Sequence, residues 1–176
     1  IKESAKESLA ALKNIGIQKN VMLTGDTKEV ADIVAREVGL DYAYAQLLPQ
    51  DKVDKLEEIL AEKNTLAYVG DGINDAPVLA RADVGIAMGG IGSDAAIEAA
   101  DVVIMDDKLD NIVKGIKVAN RTMSIAKQNI AFAIGVKVIF LLLAAIGFGT
   151  MWEAVFADVG VTVLCIINAM RNLQVE

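Results

Sequence analysis

Two carboxylates four residues apart, Asp71 and Asp75, lie in the run Ala67-Tyr68-Val69-Gly70-Asp71-Gly72-Ile73-Asn74-Asp75-Ala76-Pro77. Set among small residues, they are hard oxygen ligands of the kind that suits Mg2+ with phosphate as co-ligand. By spacing alone, the run reads equally well as a polar turn whose acids cap a helix. A second run, Val21-Met22-Leu23-Thr24-Gly25-Asp26-Thr27, has the same order: apolar residues, then a hydroxyl, a glycine and an acid. Between the two stands Pro49-Gln50-Asp51-Lys52. A Thr24 hydroxyl and backbone N–H groups can hold phosphate oxygens. Lys52 can neutralise their charge, and Asp71 with Asp75 can hold a metal that bridges them.

Such groups must be carried at the carboxyl ends of strands, where open α/β sheets bind their ligands. The apolar runs 21–23, 66–69, 84–88 and 102–105 predict strands, and 41–46 predicts a weak one. Helical spacing of apolar residues predicts helices over 1–15, 27–38, 49–63, 74–81 and 93–99, with Gly16 and Gly39 as stops. Val30, Ile33, Val34 and Val38 form the expected inward face of the second helix. Alternation of strand and helix implies a parallel α/β sheet with helices on both faces. The loop Gly89-Gly90-Ile91-Gly92 fits a tight strand-to-helix turn better than a phosphate cradle.

Composition divides the chain. Hydrophobic residues make up 54% of the 176, too many for an ordinary soluble domain, and the net charge is −7. Residues 1–124 hold 14 Lys+Arg and 21 Asp+Glu, whereas 125–176 hold three of each. An acidic part is joined to a nearly uncharged apolar part. The acidity argues against a nucleic-acid partner. The single Cys165 allows no disulfide within the chain and reads as lipid-facing or packing surface. The opening Ile1-Lys2-Glu3-Ser4 has no apolar core of a signal peptide, and the chain is expected to begin inside a longer protein.

A helix is expected over 109–127, continuing towards the apolar part. Residues 130–148 are 19 residues with one charge, Lys137, a length that crosses about 30 Å of hydrocarbon. Gly147 to Thr150 is a turn candidate, and 152–170 is a second apolar run containing Asp158. Lys127 and Arg171 mark the two distant ends of the expected hairpin, which places those ends and the acidic part in the cytoplasm. Lys137 and Asp158 are expected to approach one another and to face a bundle interior, since an isolated charge at mid-membrane is costly. The alternative is a snorkelling Lys137 and an ordinary polar Asp158 near the outer surface.

Thr24-Gly25-Asp26, Lys52 and the string Gly70-Asp71-Gly72-Ile73-Asn74-Asp75-Ala76-Pro77 together resemble the phosphorylation domain of P-type ATPases, within the haloacid-dehalogenase-like fold. The resemblance covers almost the whole chain. Lys137 and Asp158-Val159-Gly160 resemble the last two spans of the zinc/cadmium/lead subgroup. The copper subgroup's Tyr-Asn and Met-x-x-Ser are not matched: Gln128-Asn129 stands in the first place, and the last span has no Met-x-x-Ser.

The resemblance implies a C-terminal piece of an export pump for Zn2+, Cd2+ or Pb2+ that uses ATP, Mg2+ and an aspartyl phosphate. Its parts would be residues 1–110 of the phosphorylation domain, a connecting helix over 111–128 and a transmembrane hairpin over 129–176. It further implies a catalytic set of Thr24, Gly25, Asp26, Lys52 and Asn74, in which Thr24 and Lys52 contact the phosphoryl group, Asp26 positions the loop or assists domain closure, and Asn74 supports the Mg2+ site. Asp71 and Asp75 would serve Mg2+, and Asp158 with its charge partner Lys137 the transported ion. The expected surroundings are the lipid of a prokaryotic plasma membrane and the rest of the pump: its nucleotide-binding and actuator domains and its earlier transmembrane helices. The chain carries no Asp-Lys-Thr-Gly-Thr, the motif that supplies the nucleophile in this family, and is expected to be inactive alone. The competing reading is a membrane-anchored, non-catalytic module that binds Mg2+ and phosphate or docks to another subunit.

Overall fold

The structure is a computed structural model, and it describes residues 4–62, 65–70, 72–89, 94–106, 108–147 and 151–174. Asp71, the Gly90–Ser93 part of the glycine-rich loop and the turn residues 148–150 lie outside the described residues. The chain divides into two compact units, Ile1–Val113 and Lys114–Glu176.

The first unit alternates helix and strand. Helix α1 (Ala5–Asn14) leads to β1 (Val21–Leu23), α2 (Lys28–Val38), β2 (Tyr42–Tyr44) and α3 (Pro49–Ala61). Then follow β3 (Ala67–Gly70), a 3-10 turn (Ile73–Asp75), α4 (Ala76–Leu79), β4 (Val84–Met88), α5 (Asp94–Ala99) and β5 (Val102–Ile104). Every strand pairing is parallel, as expected, but the strands form two groups rather than one sheet. β1 pairs with β2, and β3, β4 and β5 pair in that order. The pairs form between strands joined by a single helix, as crossover connections favour. The β2–α3–β3 connection closes no such pair among the described residues.

Local chemistry sets the helix ends. Gly39 adopts φ +80° and closes α2 with its N–H on Ala35 O, a left-handed cap that suits glycine. Pro49 opens α3, and the Asp51 carboxylate accepts the Leu48 N–H at 2.9 Å. In α2 the buried stripe is Ala31 and Val38, while Val30 and Ile33 are exposed. The expected inward face is therefore rotated, because the small Ala31 rather than the branched residues makes the close contact. In α1, Ser8 is buried with Ala5. Its Oγ lies 2.8 Å from Ser4 O and 2.5 Å from Asp110 Oδ1, so a polar residue holds α1 to the chain's later course.

The tightest packing surrounds Leu79, Ala87 and Ala96, with Tyr68 and Val103 against them. A Cβ added at Gly85 would stand 2.6 Å from Leu79 O, so β4 passes the end of α4 at a distance only glycine permits. Asp41 fastens the other strand group: its carboxylate accepts Asn20 N–H at 2.7 Å and Lys13 Nζ at 2.6 Å. These bonds, the Asn20 N–H first, hold the Asp41 carboxyl below its ordinary value of 3.8.

The second unit contains helix α6 (Asp110–Ala145), which begins in the first, and α7 (Met151–Met170), followed by a 3-10 turn over Arg171–Gln174. The helix expected over 109–127 continues without a break into the apolar run from 130, as the absence of a Pro- or Gly-rich linker implied, and the two form one helix of 36 residues. No proline interrupts it, and Gly115 and Gly135 have open space around them. It is long and apolar enough to cross a membrane. Its less exposed positions Ala126, Asn129, Ala133, Val136 and Phe140 recur at three- and four-residue spacing. On α7 the positions Ala157, Val161, Cys165, Asn168 and, beyond the helix, Asn172 do the same. Hydrogen bonds join the two stripes: Asn129 Nδ2 donates to Cys165 O at 3.0 Å, Asn168 Nδ2 to Asn129 Oδ1 at 2.9 Å, and Arg121 Nη2 to Arg171 O at 2.8 Å.

Two outcomes test this packing. Gly85→Ala destabilises the fold by about 1–3 kcal/mol, because backbone must move to admit the methyl, whereas Gly115→Ala is neutral or stabilising; thermal melting of the purified chain reads both. Asp41→Asn lowers stability at neutral pH. A depressed carboxyl contributes stability above its unfolded value of 3.8 and loses it as pH falls through the lower folded value. The gap between wild type and Asp41→Asn therefore closes as pH drops below 3.8, which denaturation curves across pH will show.

Candidate functional site

The acids and the lysine of the first unit follow the ends of β1 and β3 and the start of α3. β1 ends at Leu23 and delivers Thr24, Gly25 and Asp26. Thr24 Oγ1 donates to Asp26 Oδ2 at 2.9 Å and accepts the Asp26 N–H at 3.1 Å, which shapes the loop around the hydroxyl. The segment after β2 is zipped to this loop: Gln46 N–H donates to Asp26 O at 2.8 Å and Leu47 N–H to Thr24 O at 3.0 Å. Gln46 takes φ +58° to do so. That segment runs directly into α3, whose first turn carries Lys52.

Lys52 meets Asp75. The ammonium donates to Asp75 Oδ1 at 2.9 Å, and the Tyr68 hydroxyl donates to the same oxygen at 3.0 Å. The two charged side chains are 18% and 12% exposed, so the pair is largely removed from water and each charge depends on the other. Gly70 makes room for it: a Cβ there would stand 2.8 Å from Asp75 Cβ. The 3-10 turn, with Asp75 N–H on Gly72 O at 3.1 Å, brings the acid back over the end of β3.

The structure thus groups Thr24 with Asp26, and Lys52 with Asp75, and leaves Asn74 exposed beside the latter. Asp71 lies outside the described residues. Among the described residues no three Asp, Glu, Cys or His side chains cluster as a metal centre. Both donors to Asp75 meet Oδ1, and a carboxylate retains lone pairs on its other oxygen. This hard oxygen, with a second carboxylate at Asp71 in the sequence, fits Mg2+. Tyr68 was missed from sequence. Its signal was period two: Tyr68 and Gly70 project from one face of β3, so a ring at 68 reaches the loop that begins after 70.

In the second unit, Lys137 Nζ lies 3.2 Å from Asp158 Oδ1. The approach expected from sequence is present. The side chains are 77% and 67% exposed within this chain, so its own two helices do not enclose them. Cys165 is half-buried, with Sγ 3.8 Å from Asn129 O of α6, so of the two readings it takes the packing one.

A family profile described as haloacid dehalogenase-like hydrolase matches residues 1–83. The cadmium, zinc and cobalt-transporting ATPase of Bacillus subtilis is 54% identical over 179 aligned residues, covering 100% of this chain and 26% of that protein. The zinc-transporting ATPase of Synechocystis is 57% identical, over 97% of this chain and 24% of that protein. The crystal structure of a zinc-transporting PIB-type ATPase in its E2.Pi state matches with a TM-score of 0.92 and 42% identity, over 99% of this chain and 28% of that one. The chain spans about a quarter of the length of these relatives. Identity of this extent over almost the whole chain makes it a heavy-metal P-type ATPase domain, homologous to zinc- and cadmium-transporting ATPases.

Proposed function

We propose that this chain is the C-terminal part of an ATP-driven pump that exports a divalent heavy-metal ion, of the Zn2+/Cd2+/Pb2+ class, through an aspartyl-phosphate cycle. The observation that carries the reading is the Lys137–Asp158 pair, 3.2 Å apart on two apolar helices. Charges are retained in such surroundings where an ion or proton must pass. A carboxylate suits a borderline divalent ion better than Cu(I). The helices α6 and α7 are read as a membrane hairpin over residues 129–176, entered through a connecting helix over 111–128, with the first 110 residues cytoplasmic.

In the first unit, Thr24, Gly25 and Asp26 shape a loop whose hydroxyl and N–H groups can face a phosphoryl group. Lys52 has three donors, one of them engaged by Asp75, and another can reach a phosphoryl oxygen. Asp71 and Asp75, with Asn74 in support, hold Mg2+, whose charge offsets that of the phosphoryl oxygens. ATP and the nucleophilic Asp belong to the remainder of the pump, with its nucleotide-binding and actuator domains and earlier spans. Support for a domain shared with that remainder comes from the sheet: among the described residues β1 is paired only with β2 and β3 only with β4, and Val69 on β3 is 39% exposed.

Zinc-stimulated ATP hydrolysis by the full-length pump tests the reading. Asp158→Ala abolishes the stimulation, and Lys52→Ala lowers the maximal rate by about 10²–10³-fold, as loss of a charge-stabilising group does. The 176-residue chain alone shows no turnover. Wild-type zinc dependence in Asp158→Ala would sink the proposal, as would steady hydrolysis by the isolated chain that Asp71→Asn removes.

A further inference from the structure

We propose that Asn168, through Asn129, is a positioning residue that sets the register of α6 against α7 and so holds Lys137 opposite Asp158. The inference rests on the transport-site reading above. Its basis is a directed row of hydrogen bonds. Arg171 Nη1 donates to Asn168 Oδ1 at 3.0 Å, Asn168 Nδ2 to Asn129 Oδ1 at 2.9 Å, and Asn129 Nδ2 to Cys165 O at 3.0 Å. Each amide gives on one side and accepts on the other, so neither can flip without breaking two bonds. A charged donor at one end polarises the row.

The row lies at a fixed distance from the ion pair. Eight residues along α6 lead from Asn129 to Lys137, and seven back along α7 lead from Cys165 to Asp158. At about 1.5 Å per residue these are nearly equal lengths along two antiparallel helices. Seven residues are close to two full turns, so Cys165 and Asp158 share a face of α7. Any slide of α7 that opens the amide row therefore carries Asp158 away from Lys137 by the same amount. The apolar positions between them, Ala133 and Val136 on α6 and Val161 on α7, have no directional bonds and would permit such a slide. Polar groups of this kind specify register between apolar helices where packing alone does not.

The test uses the full-length pump and reads ATP hydrolysis against free Zn2+. Asn168→Leu keeps the side chain's size and breaks the row at its link to Asn129. It is expected to raise the half-maximal zinc concentration about tenfold with the maximal rate held within about twofold, a loss comparable to one buried hydrogen bond. Asn129→Leu gives the same shift, and the double variant is no worse than either single one, because both break the Asn168–Asn129 bond that joins the two helices' side chains. A shift with Asn129→Leu and none with Asn168→Leu would overturn the proposal, since Asn129 would then act without its partner. Lower melting temperature with unchanged zinc dependence would overturn it too, since the row would then be only structural.

Register is also read without activity. In a Cys165→Ala background, Lys137→Cys and Asp158→Cys are joined by a short bifunctional thiol reagent. Asn168→Leu is expected to cut the linked fraction severalfold; an unchanged fraction would overturn the proposal. Failure of the transport reading would show separately, as a pump whose wild-type form has no zinc stimulation while the cross-link still depends on Asn168.

Discussion

A carboxylate taken out of water must be met by donors, and the loop after β3 is built around that requirement at Asp75. Its Oδ1 receives the Lys52 ammonium and the Tyr68 hydroxyl. Three segments are thereby tied together: the first turn of α3, the middle of β3 and the 3-10 turn just beyond it. Gly70 is part of the same solution, because any side chain there would occupy the space of the Asp75 methylene. The surrounding core of Leu79, Ala87 and Ala96 is made of small and medium residues. It lets the strands and α4 approach closely enough for the short polar loop to close.

The same requirement recurs in the two apolar helices. Lys137 and Asp158 meet each other, although the rest of their surfaces remains uncovered by this chain. Farther along the helices, the amides of Asn129 and Asn168 satisfy each other and reach a backbone carbonyl and an arginine. Apolar contact holds such helices side by side with little preference for any one offset. The polar groups select the offset, because their bonds are short-ranged and directional.

Much of the architecture was legible in the chain. Strands at 21–23 and 84–88 begin and end where the apolar runs do, and Gly39 stops α2 as glycine at that place should. The divisions that failed share a cause. Val30 and Ile33 satisfy a helical pattern yet stand exposed, while Ser8 breaks one and is buried. Periodicity reports that a face is apolar, not what lies against it, and Ala31 wins the contact in α2 by being small. The continuity of α6 from the charged stretch into the apolar one was, by contrast, legible, because a shift from charged to apolar surface changes the solvent of a helix without changing its backbone bonds.

By itself the sequence determined the parallel α/β character, the acidic and apolar parts, and which residue types stand as candidates for phosphoryl and metal-ion chemistry. Each of these follows from residue type and local spacing, which the chain carries openly. The tertiary structure alone decided that Lys52 answers Asp75, that Tyr68 joins them, that the strands fall into two parallel groups, and that Asn129 and Asn168 face one another. These pairings link positions from seven to 39 residues apart. Which partner a buried polar group finds depends on how the backbone returns to it, and that is settled only when the elements pack.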